Sequence, residues 1–266
     1  MNPECKQMKR VLFIFMLVIN GLGNVPAQES DTLRTDLSLD NRLPAQTNLF
    51  NAPYSGFIIP AVFISYGLLA HNQNWLRKVD VNTHQTVSKH FTCKIRSDDY
   101  IQYVPAVAVF GVDLLGVKAK HNFRDKTFLT ASSYLLSSAS THAVKRISHV
   151  KRPDESNTLS FPSGHTATAF VGAHLLFKEY KDTSPWIGIA GYAVASTTGA
   201  IRVYNKRHWV SDVVAGAGFG MLSVEISYLL LPVFHSLIGV SDSRTSLTAT
   251  PVIGMNHYGF GLACSF

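Results

Sequence analysis

Between residues 56 and 234 the chain runs as six apolar stretches separated by short polar breaks, at about 56–70, 101–117, 128–144, 165–177, 186–204 and 210–234. Their lengths suit helices rather than strands, and several fall short of the roughly 20 residues that a helix perpendicular to a bilayer needs. Parts of them, such as SSYLLSSASTHA (132–143) and GIAGYAVASTTGA (188–200), are rich in Gly, Ala, Ser and Thr. Small residues let helix backbones approach closely, as in membrane bundles, although the buried core of a soluble helical protein has the same composition. The tail is patterned differently. Tyr258, Phe260, Leu262, Cys264 and Phe266 alternate with Gly259, Gly261, Ala263 and Ser265, a period of two that predicts a strand. With LTATPVI (247–253) before it, the tail is expected to form a short β-hairpin. The other segments lack this alternation, which excludes a membrane β-barrel. The expected fold class is all-α: a membrane-embedded helical bundle with a short C-terminal β-hairpin.

Charge refines this picture. Charged residues make up 15% of the chain, well below the usual quarter, which favours membrane integration. The formal net charge is +7, but no run of Lys and Arg interleaved with aromatics appears, so no nucleic-acid partner is expected. Basic residues instead sit in KAKHNFRDK (118–126) and KEYKD (178–182), which the positive-inside rule assigns to the cytoplasm. Residues 145–165 and 202–212 then lie together on the opposite, exported side. At the N-terminus, Lys6, Lys9 and Arg10 precede an apolar run from Val11 to Ile19 and the small-residue site Val25-Pro26-Ala27. Residues 1–27 therefore read as a signal peptide or signal anchor, followed by a polar lead segment over 28–53. An exported residue 28 followed by a full span at 56–70 would invert the order of the loops, so 56–70 is read as interfacial or re-entrant. Three cysteines are too few for a disulfide framework. Asp113 and Glu225 fall inside apolar segments, where an acid is either functional or paired with a polar neighbour.

The chemistry is concentrated in three polar clusters on the exported side. Pro162-Ser163-Gly164-His165 places an imidazole after a tight turn, at a position where Ser163 would otherwise serve as a plain helix cap. KRISHVKRP (145–153) contributes Lys145 and Arg152, and RVYNKRHWVSD (202–212) contributes Arg202, His208 and Asp212. His208 and Asp212 are four apart, so on a helix the carboxylate can hold one ring nitrogen and leave the other free to attack. His165 then supplies a second imidazole able to protonate a departing oxygen. Lys145, Arg152 and Arg202, with Ser163 and the Gly164 N–H, form a cradle suited to phosphate. Phosphoryl transfer follows, a reaction in which positioning and charge stabilisation do most of the catalysis. No HExxH or CxxC pattern occurs, so neither a metal nor another cofactor is expected. His142 and His149 read as surface or supporting residues, His174 as a packed histidine, and Arg207 as lying on another helix face.

Lys145-x6-Arg152-Pro153, Pro162-Ser163-Gly164-His165 and Arg202-x5-His208-x3-Asp212 together resemble the type 2 phosphatidic acid phosphatase (PAP2) superfamily, over roughly residues 100–230. The resemblance implies that His208 forms a phosphohistidine, that Asp212 orients it and that His165 is the acid for the leaving group. It assigns phosphate binding to Lys145, Arg152, Ser163, Gly164 and Arg202. Ile201 departs from the pattern, since the family usually has Ser before the third-cluster arginine. The implied helical phosphatase domain covers 54–240, and a tail follows over 241–266. The implied function is hydrolysis of phosphomonoester or pyrophosphate groups on a lipid (lipid A, isoprenyl pyrophosphate or phospholipid type) in a bacterial inner membrane, with the site facing the periplasm. A soluble periplasmic acid phosphatase and a vanadium-dependent haloperoxidase carry the same signatures and remain the alternatives.

Overall fold

The structure, a computed structural model, describes residues 55–90 and 95–238 and the backbone of two strands, 246–254 and 257–265. The expected signal segment and the whole polar lead lie outside the described residues. Helices occupy all six apolar stretches. In chain order they are α1 (Ile58–Asn72), α2 (Asn74–His90), the single turn α3 (Asp98–Ile101), α4 (Val104–Leu114), α5 (Phe123–Ser148), α6 (Gly164–Tyr180), α7 (Pro185–Tyr204) and α8 (Val210–Leu237). The tail forms β1 (Ser246–Gly254) and β2 (His257–Ser265), paired antiparallel from Ser246 with Ser265 to Gly254 with His257. The all-α bundle and the terminal hairpin are both as the sequence pattern predicts.

Local chemistry sets the helix ends. Asn122 caps α5 by accepting from the Asp125 N–H at 2.9 Å, and Pro185 starts α7 where no amide donor is required. Asp212 caps its own helix, accepting from the Trp209 N–H at 2.9 Å. The start of α8 is also held from α2, where the buried Asp80 carboxylate accepts from the Ser211 amide at 3.0 Å and from its hydroxyl at 2.6 Å. Nothing in the apolar pattern announces α2. It is a polar helix that buries little more than Leu76 and Asp80.

Helix α6 is central, buried from Thr166 to Leu176 except at Thr168, with α4, α5, α7 and α8 packed around it. The main core joins Val109, Leu129, Val171, Leu175, Tyr180, Val224 and Leu231. Two glycines one turn apart on α8 set its distance from α6. A Cβ on Gly216 would come within 2.5 Å of the Ser163 carbonyl oxygen, and one on Gly220 within 2.5 Å of the Ala167 carbonyl oxygen. Only glycine permits this backbone contact, which brings the start of α6 against the start of α8.

Helix α1 is continuous, so 56–70 is not a re-entrant turn; it lies along α8 and ends beside the start of that helix. Among the described residues, Ser55–Asn72 and Val210–Leu237 are long and apolar enough to cross a membrane. The 101–117 stretch yields a shorter helix than its hydropathy suggests, the 11-residue α4, Val104–Leu114. The acids within apolar segments have partners. Glu225 meets His174 and Lys178, each at 2.7 Å, and Asp113 meets Lys126 and Tyr180.

Candidate active site

The three polar clusters converge at one end of the bundle, where α5 ends and α6 and α8 begin. They surround a cavity of about 460 Å³ whose lining includes Lys145, Arg152, Gly164, His165, Arg202 and His208. At the opposite end the 118–122 and 178–183 connections meet, with the Lys120 amide donating to Glu179 O at 2.9 Å and the Thr183 hydroxyl to Lys118 O at 3.0 Å. The basic loops and the cavity are therefore separated by the length of the helices.

His208 lies between α7 and α8 and is 2% exposed. Its Nδ1 is 3.5 Å from Asp212 Oδ2, and the Asp212 side chain is completely buried. Burial pushes the His208 imidazole down to about 4, while the neighbouring carboxylate pulls the other way. The ring is therefore neutral near pH 7, the form that carries a nucleophilic lone pair. Asp212 Oδ2 also accepts from the Ser160 hydroxyl and the Trp209 amide, which fixes the carboxylate from two loops. Its Oδ1 faces His71 Nε2 at 3.5 Å, at the end of α1, and the His71 ring stands edge-on to Phe161 at 4.9 Å.

His165 occupies the first turn of α6 and is half-buried. Its Nε2 is 2.9 Å from Asp99 Oδ1, on α3. The adjacent Asp98 is buried and accepts from Arg202 Nη1 at 2.6 Å. Lys145, in the last turn of α5, donates to the carbonyls of Leu159 at 3.2 Å and Pro162 at 2.6 Å, so it also braces the Pro-Ser-Gly turn. Arg152 borders the cavity from the loop, and its buried Nε has no hydrogen-bond partner.

Seven of the eight residues singled out from the sequence stand in or directly behind the cavity. Ser163 stands apart. Its side chain is fully buried, its hydroxyl pairs with that of Thr166 at 2.9 Å, and it makes no side-chain cap on α6. Its amide donates to Asp212 O at 2.9 Å, which ties the two helix starts together. His142 lines the cavity as well, with Nδ1 2.9 Å from Ser138 O. Arg207 turns away to Asp154 at 3.2 Å. Sequence inspection missed Asp98, Asp99, His71 and Ser160. A search for counter-charges to the three cations at the cavity would have raised the Asp98-Asp99 pair.

Residues 126–235 match the family model described as PAP2 superfamily. The chain is 41% identical over 132 residues to a lipid A 1-phosphatase of Porphyromonas gingivalis, a stretch that is 49% of this chain and 30% of that protein. The chain thus spans less than a third of that relative's length. It is 28% identical over 159 residues to a lipid A 1-phosphatase of Helicobacter pylori, covering 54% of this chain and 74% of the relative. Among solved structures, Aquifex aeolicus LpxE aligns with 56% of this chain and 94% of its own at a TM-score of 0.43 and 20% identity.

Proposed function

From the match of residues 126–235 to the PAP2 superfamily model, we propose that the protein is a metal-independent phosphatase acting on a phosphorylated lipid through a phosphohistidine at His208. The observation that carries this reading is the meeting, around one cavity, of a neutral buried imidazole, a second imidazole and three cationic side chains. Binding alone would need the cations and neither histidine. Arg152, Arg202 and Lys145 neutralise the phosphoryl oxygens, with the Gly164 N–H at the start of α6 as a further donor. His208 Nε2 attacks phosphorus while Asp212 supports the ring as it becomes cationic. His165 protonates the leaving oxygen and then deprotonates the water that hydrolyses the intermediate.

The lipid character of the substrate rests on the outer surface. Val62 on α1, Val107 and Leu114 on α4, Leu135 on α5, Ile189 on α7 and Leu229 and Val233 on α8 are all large, apolar and exposed. Exposed apolar side chains on five helices suit acyl chains rather than water, and disfavour the soluble acid phosphatase. The names of the two relatives point to lipid A-type phosphates as the first substrates to assay. The basic loops at the far end favour a cavity on the exported face of the inner membrane, with α1 running from the cytoplasmic end to the site.

The test is to trap the intermediate. The full chain in detergent, given a ³²P-labelled lipid phosphate and quenched in alkali, should carry acid-labile label with EDTA present throughout. Activity abolished by EDTA and restored by one divalent ion would defeat metal independence. For orientation, Thr158→Cys is placed on the exposed loop beside the site, in a chain whose three cysteines are replaced by serine. Impermeant maleimide added from the periplasmic side should label it. Labelling only after the bilayer is opened would put the cavity on the cytoplasmic face.

A further inference from the structure

Residues 95–102 precede the family match, yet they are fastened to the site at three points. The Asn205 side chain grips Ile95 at both backbone groups, accepting from its N–H at 2.9 Å and donating to its carbonyl at 2.7 Å. Asp98, 2% exposed, holds Arg202 at 2.6 Å. Asp99 reaches His165 Nε2 at 2.9 Å, and Gln102 continues into the cavity wall. The first two anchors are buried and fix the backbone, so the position of Asp99 follows from them.

This carboxylate answers an electrostatic difficulty in the site. A general acid must hold a proton beside the group it will protonate, yet His165 shares its cavity with Lys145, Arg152 and Arg202. Burial favours the neutral ring of His165 and Arg202 reinforces it, while Asp99 and Asp98, the latter already committed to Arg202, pull the other way. Asp99 is the carboxylate in hydrogen-bond contact with the His165 ring.

We propose that Asp99 is the positioning residue of the general acid, holding His165 by its Nε2–H so that Nδ1 carries the transferable proton. This rests on the phosphohistidine reading above. As His208 Nε2 bonds to phosphorus and the bond to the leaving oxygen breaks, the Nδ1 proton of His165 passes to that oxygen, while Asp99 retains the Nε2–H. Water then loses a proton to His165 Nδ1 as its oxygen bonds to phosphorus and the N–P bond breaks, which restores both rings.

The experiment compares Asp99→Asn and Asp99→Glu with the full-length wild type on two substrates, 4-nitrophenyl phosphate and a long-chain alkyl phosphate. A nitrophenolate leaves without help, whereas an alkoxide needs the proton. Asp99→Asn should lower kcat for the alkyl phosphate by about 100-fold, and for the nitrophenyl ester by no more than about 3-fold, with KM little changed, since general acid catalysis contributes roughly 10²–10⁴-fold. Asp99→Glu should recover part of the alkyl activity. Asp98→Asn, acting through a phosphate-binding arginine, should depress both substrates alike. Equal losses on both substrates in Asp99→Asn would overturn the proposal. So would a requirement for Zn²⁺ or Mn²⁺ that disappears in Asp99→Asn, because the ligand atoms of Asp98, Asp99 and His165 lie within 4.8 Å of one another and would then be holding a metal. Absence of a phosphoenzyme in the wild type would instead sink the phosphohistidine reading itself, a result distinct from either.

Discussion

Two histidine–aspartate pairs face each other across the cavity, and they are built in opposite ways. His208 and Asp212 are 2% and 0% exposed, four residues apart in one segment, and 3.5 Å apart in space. His165 and Asp99 are 31% and 61% exposed, come from elements 66 residues apart, and are in contact at 2.9 Å. On the reading proposed above, burial suits the first pair, because a nucleophilic imidazole must stay unprotonated. Exposure suits the second, because an acid that gives its proton away in one half-reaction and takes one from water in the next needs contact with solvent. The same two side-chain types thus acquire different roles from their surroundings.

The sharpest way to break this contrast is to delete each partner in turn. His208→Ala should abolish both phosphoenzyme and turnover, a loss on the order of 10⁶-fold, comparable with removing other covalent nucleophiles. Asp212→Asn keeps the nucleophile but spoils the support of its ring, and should cost on the order of 10⁴-fold in kcat. His165→Ala should cost about 10²–10⁴-fold on an alkyl phosphate and much less on a nitrophenyl ester, measured as kcat on matched protein. An acid-labile phosphoenzyme in His208→Ala, missing from His165→Ala, would exchange the two assignments. The smallest effect is read from pH. Since burial holds His208 near 4 rather than its ordinary 6.5, it stays neutral, and active, as pH falls from 6.5 toward 4. The rate of phosphoenzyme formation from the nitrophenyl ester should therefore fall only as pH passes below about 4. A loss centred near 6.5 would mean that the ring is solvated and that the two pairs are alike.

The sequence disclosed one pair and hid the other for a physical reason. His208 and Asp212 share a helix-spaced segment, so their meeting is local and readable. Asp99 has no periodic signal, and its meeting with His165 depends on Asn205 and Asp98 docking a turn of chain from far upstream. His71 was invisible for the same reason: it reaches Asp212 only because α1 packs along α8. Hydropathy located the helices well but not α2, whose polar face carries the Asp80 that secures the start of α8. Ser163 is a different case. Its place in the turn suggested a phosphate donor, and the pairing with Thr166 appears only once α6 has formed.

The docking of 95–102 bears on how this molecule can be dissected. The stretch that matches the family begins at residue 126, and a truncated gene starting there would encode His165, His208, all three cations and Asp212. It would encode none of His71, Asp80, Asp98, Asp99 or Gln102. Such a fragment would have Asp212 without the flanking His71, Arg202 without the Asp98 that holds it, and His165 without the Asp99 that contacts it. A swap between relatives that joins them at residue 126 would therefore part Arg202 and His165 from the carboxylates that hold them in this chain.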